Sequence, residues 1–333
     1  MVFTLNFALW VSLAMGFAGY GKAYLSDTHD PVGLLALQGA TGVVVLFVLA
    51  RFGVLDLHPG KDLTPTAAQQ AGLAACWYTG QALLTNFAVI LGEAAATNAL
   101  KAVEPFAAAA FSYLLLGKTC SGPRMAALAM ILAGVVLMTS TRDASGTQEV
   151  VGGGEGGETG GGVGYIITSA AFTTAAVCCN TLRNVVIKRV NPIPPHQTLL
   201  TCSAAATAFG GALMLLRLLF SSMDNLLERG GAGHGQGNDD VDGDGLASSW
   251  LRMDGVNAAL CFVGYNLASF NLLLRLSPVG HAVGNSCKQM VVFASGLLLL
   301  GEVMSIRQLG GTAVALFGVL AYNVAGTRWT VPF

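Results

Sequence analysis

Charge is what this chain has least of. Asp, Glu, Lys and Arg make up 11% of its 333 residues, against about a quarter in soluble globular domains. Apolar residues make up 53%, and mean hydropathy is +0.62. That balance excludes a soluble domain and describes a polytopic integral membrane protein, with the lipid bilayer as its solvent. A cysteine framework is missing too. The seven cysteines are odd in number and fall mostly in apolar runs, and the vicinal Cys178-Cys179 is not a C-x-x-C pair and has no paired His beside it. Neither a disulfide nor a zinc scaffold follows, and the cysteines read as small packing residues.

Catalytic signatures are equally scarce. There is no H-E-x-x-H, no G-x-S-x-G and no pair of acids inside the apolar segments, so no enzyme of those classes is expected. The glycine run VVGGGEGGETGGGV at 150–163 has membrane helices for neighbours rather than a βαβ unit, and reads as a linker rather than a phosphate cradle. Asp240, Asp242, Asp244 and Gly245 imitate the opening of a calcium loop, but the twelfth position is Leu251 where a bidentate Glu is needed. No metal, cofactor or nucleic-acid partner is expected.

Ten segments are apolar and long enough to span a bilayer: Phe3–Tyr24, Pro31–Ala50, Thr66–Leu91, Ala94–Leu116, Met125–Thr141, Gly164–Ile187, Thr198–Leu219, Gly255–Leu274, Pro278–Leu300 and Gln308–Val324. An even number puts both termini on one side. Two polar, glycine-rich stretches, 142–163 and 221–250, read as flexible loops. The first span begins almost at Met1, with no cleavable signal before it in this sequence. Arg51, Lys61, Lys118, Arg124, Lys188, Arg189, Arg275 and Arg328 fall on the side of the termini, and the Asp239–Asp244 cluster falls on the other. Basic residues mark the cytoplasmic face, or its organellar equivalent, so the termini are placed there.

Four of the 17 basic residues (Lys22, Lys101, Arg183, Lys288) and one of the 18 acids (Glu104) lie within the spans. The membrane domain thus encloses a formal excess of about three positive charges, which is tolerable if the usual occupant is an anion. His281, Asn285 and Lys288 are spaced i, i+4, i+7, one polar stripe on the ninth helix. Lys101 and Glu104 are three apart, close enough to pair, just before Pro105. Arg183 lies about one and a half turns inside the boundary residues Lys188 and Arg189, which makes it a candidate for the cavity. Lys22, near the end of its helix, reads instead as an interfacial residue. Tyr265 and Ser269 share a face of the eighth helix.

An internal repeat favours a transporter. Leu115-Leu116-Gly117 is followed seventeen residues after its Gly by Gly134-Val135-Val136, and Leu299-Leu300-Gly301 at the same interval by Gly318-Val319-Leu320. Five helices plus five implies halves of opposite orientation, about 1–141 and 164–325, with a midplane site between them.

The segments KAVEPF (101–106), Asn180-Thr181-Leu182-Arg183-Asn184 with Lys188-Arg189, Tyr265-Asn266 and SPVGHAVGNSCK (277–288) resemble the plastid phosphate translocators, the triose-phosphate transporters and their kin, in the drug/metabolite transporter superfamily. The resemblance implies an all-α fold of ten transmembrane helices as a 5+5 inverted repeat, and strict exchange of an organic phosphate for inorganic phosphate in a plastid envelope or other organelle membrane. It implies that Thr85, Lys101 and Lys288 hold the phosphate with Tyr265 nearby. It also marks two departures: the family's His falls on Ala82, and its Arg after the ninth-helix Lys is Gln289. Arg183 is the residue that could make up the lost charge, and a nucleotide-sugar transporter of the Golgi or endoplasmic reticulum is the alternative.

Overall fold

The computed structural model describes residues 2–55, 65–91, 100–101, 103–117, 120–139, 161–189, 194–231, 252–300 and 306–327. Among them the chain forms ten α-helices and no strand: α1 (Val2–Thr28), α2 (Pro31–Arg51), α3 (Pro65–Leu91), α4 (Glu104–Leu116), α5 (Gly122–Thr139), α6 (Gly161–Arg189), α7 (Pro195–Gly231), α8 (Met253–Arg275), α9 (Pro278–Leu300) and α10 (Ile306–Thr327). Five stretches, in α2, α3, α6, α7 and α8, are long and apolar enough to cross a membrane by length and composition. Large apolar side chains such as Val44, Phe47, Leu114, Leu215, Phe317 and Leu320 point outward. A bundle that turns such residues to its surroundings is matched to hydrocarbon rather than water.

Two elements differ from their sequence expectation. Ser221–Gly231, read as linker, continues α7, because SSMDNLLER contains no helix breaker before Gly230 and Gly231. The fourth span is interrupted: Leu100 and Lys101 are helical, Val103 is a turn, and α4 restarts at Glu104 with Pro105 in its first turn, where the missing N–H costs nothing. The far end of α4 stops at Gly117, whose φ of 64° lets its N–H close back on Tyr113 O. The glycine run up to residue 160 and the acidic stretch at 239–244 lie outside the described residues.

Helix pairing has a symmetry. α1 packs on α8 and α6 on α3; α3 packs on α7 and α8 on α2; α2 meets α7, α4 meets α9 and α5 meets α10. The pattern is unchanged when α1–α5 are exchanged with α6–α10, as two halves related by a two-fold axis require. The repeat glycines make the α5–α10 contact. A side chain at Gly134 would strike Gly311 and Ala315, and one at Gly318 would strike Ala127 and Ile131, backbone atoms included. Small residues let two helices approach this closely in a membrane, where dispersion rather than water exclusion holds them together. On α2, Gly39 and Gly42 do the same against Ser203 and Thr207 of α7.

A candidate anion site between the two halves

The spacing of Ala14, Phe17, Ala18, Gly21, Lys22 and Leu25 turns one face of α1 toward a cavity of about 60 Å³. That is room for several waters, each needing about 10–15 Å³ on this measure. Gln81, Thr85 and Val89 from α3 face it, as do Lys101, Phe262 and Tyr265 of α8, and Lys288 of α9. The lining belongs to the half of the bundle nearer the Thr28–Asp30 turn. Elsewhere in the bundle, Ala108 and Ala109 of α4 share one buried apolar cluster with Val279, Ala282 and Val283 of α9.

Of the residues singled out by sequence, Thr85, Lys101, Tyr265 and Lys288 come together on this cavity. The two lysines come from opposite halves, and neither forms an ion pair with a described carboxylate. Lys288 is buried; its Nζ stands 4.1 Å from the Tyr265 ring centroid and 4.9 Å from that of Trp10. Aromatic faces stabilise a cation by about 0.5–2 kcal/mol, well short of the cost of removing it from water. The Thr85 hydroxyl is buried and has no hydrogen-bond partner among the described residues, which leaves it free to bond to whatever enters the cavity. For Gln289 the backbone lies in α9, and its side chain is outside the described residues.

The polar stripe of α9 faces inward as its spacing requires, with His281 and Asn285 also buried, but these two are structural. Asn285 and Asn180 both donate to Glu104, the latter at 2.6 Å. The Lys101–Glu104 ion pair allowed by sequence is not formed: two amide donors hold the carboxylate, which acts on Lys101 only at longer range. Asn184 Oδ1 accepts from Arg183, so its Nδ2 donates to His281 Nδ1 at 3.4 Å; the ring proton then sits on Nε2, donating to Ser269 at 3.0 Å.

Arg183 is not among the residues that line the cavity. It is fully buried behind them, its guanidinium over Phe270 (5.0 Å) and Tyr78 (5.7 Å), donating to Asn184 and to Gln81 Oε1 at 3.0 Å. Lys22 is exposed, in keeping with an interfacial residue, and it also borders the cavity. Gln81 and Trp10 were not singled out by sequence. The only signal for Gln81 was its place four residues before Thr85, one turn along the same face.

A family model described as the triose-phosphate transporter family matches residues 1–145 and 167–323. The chain belongs to the triose-phosphate transporter family. Within that family it is 27% identical to the triose phosphate/phosphate translocator, non-green plastid, chloroplastic, of Brassica oleracea var. botrytis, over 96% of this chain and 71% of the relative. It is 26% identical to phosphoenolpyruvate/phosphate translocator 1, chloroplastic, of Arabidopsis thaliana, over 96% and 70% respectively. A solved crystal structure superposes with a TM-score of 0.58, covering 98% of this chain and 96% of its own; at 16% identity it supports the fold alone. Membership makes the ten-helix bundle a transporter.

Proposed function

We propose that the protein is an antiporter that exchanges a phosphorylated small metabolite for inorganic phosphate by alternating access, in a plastid envelope as the names of its relatives suggest. The observation that carries this reading is the pair Lys101 and Lys288: two cations from opposite halves on one cavity, beside a Thr85 hydroxyl with no hydrogen-bond partner among the described residues and with no carboxylate in the lining. A phosphate group offers both charges and acceptor oxygens to that set, in charge-assisted hydrogen bonds worth about 1.5–3 kcal/mol each. Exchange follows from the same electrostatics. An empty site brings two like charges together as the halves close, whereas a bound anion neutralises them, so only the loaded carrier reorients readily.

Substrate competition tests the solute class. Uptake of labelled inorganic phosphate into liposomes containing the protein should be inhibited by dihydroxyacetone phosphate or phosphoenolpyruvate and not by nucleotide sugars. Inhibition by nucleotide sugars alone would transfer the protein to the other solute class.

A further inference from the structure

We infer that Gln81 is a substrate-contacting hydrogen-bond donor, held in position by Arg183. This rests on the exchange reading above and adds a residue to its site. A guanidinium has only donors, so the Gln81 atom 3.0 Å from Arg183 Nη1 is the amide oxygen, and the side chain has a single orientation. The NH₂ end has no hydrogen bond among the described residues, and Gln81 lines the cavity. With its acceptor occupied, Gln81 can only donate to whatever enters, as suits the oxygens of an anion. Arg183 strengthens that preference. It is a buried cation whose hydrogen bonds go to neutral amides and whose faces meet Phe270 and Tyr78, with no ion pair to a described carboxylate. Its charge polarises the Gln81 amide toward donation. The cavity thus receives the influence of a third cation through a neutral side chain that needs no desolvation of its own charge when a ligand leaves. Ala82, the adjoining lining residue, offers no polar atom that could do the same.

Gln81→Glu is the decisive variant. Glutamate is nearly isosteric and still accepts from Arg183, so a purely structural role for Gln81 survives or improves; toward the cavity it presents a carboxylate oxygen instead of a donor. Phosphate counterflow in liposomes and thermal stability with and without inorganic phosphate are measured for this variant, for Gln81→Leu and for the unsubstituted protein. The inference expects Gln81→Glu to keep its melting temperature in chloride buffer, to lose the added stabilisation by phosphate and to lose at least tenfold in exchange, with Gln81→Leu intermediate. Exchange by Gln81→Glu at the unsubstituted rate would overturn it, and so would a loss of exchange that merely tracks a fall in melting temperature in chloride. If the unsubstituted protein binds phosphate but exchanges nothing, the antiport reading fails, while the phosphate-dependent stabilisation still decides the Gln81 contact.

Discussion

Lys288 is a cation in the middle of a bundle built for lipid, facing two aromatic rings and making no ion pair with a described carboxylate, with Glu104 acting on it only at longer range. Replacing it with alanine removes a charge-assisted bond to the phosphate worth about 1.5–3 kcal/mol, or roughly ten- to a hundredfold in affinity. Lys288→Ala and Lys101→Ala are each expected to reduce phosphate counterflow to a tenth or less without lowering thermal stability, since each variant also removes a cation that makes no ion pair with a described carboxylate. Glu104→Gln should behave in the opposite way. Glutamine keeps one acceptor oxygen where the carboxylate serves both Asn180 and Asn285, so one buried amide loses its partner at a cost of about 1–3 kcal/mol. A melting curve of the purified protein reads this directly, and an unchanged midpoint would refute the bridging role. What was legible at this scale was whatever breaks an apolar run: Lys101, Lys288 and the polar stripe of α9. Lys22, Gln81 and Trp10 were not, because each sits in ordinary surroundings along its own helix. Only the rotation of α1 and α3 toward α8 and α9 brings these residues to the site. Arg183 illustrates the converse, a cation that sequence could place in the interior but not behind the cavity wall.

Helix contacts in this bundle depend on glycine where the two halves meet. Gly134 and Gly318 stand at matching points of the internal repeat, and each is pressed against backbone of the other's helix. Gly134→Leu or Gly318→Leu forces α5 and α10 apart, since the obstructing atoms are main chain and cannot swing aside; overpacking of this kind costs about 1–3 kcal/mol. The expected result is a lowered melting temperature and poor recovery from membranes for either variant. Leucine at Gly19, which has open space around it, serves as the control. Hydropathy was sufficient to read all ten helices, because a span must bury its own backbone polar groups within one apolar stretch. It could not read the end of α7, where a polar but breaker-free sequence continues the helix. Nor could it read the interruption before Glu104, where Pro105 starts a new helix rather than bending an old one.

At the scale of the molecule, charge and symmetry act together. Two halves of five helices bring Lys101 and Lys288, one from each, to a single cavity. The excess of buried positive charge was legible from sequence as a count, and the class of solute followed from it. The side of the membrane from which the cavity is reached was not legible, since it depends on which of two packings the halves adopt. The central claim is that the carrier reorients only when an anion occupies both lysines. Its most direct test is uptake of labelled phosphate by liposomes carrying the purified protein, with and without unlabelled phosphate inside. Uptake into phosphate-loaded liposomes is expected to be rapid, and uptake into empty ones at least tenfold less. Equal uptake into both would contradict it.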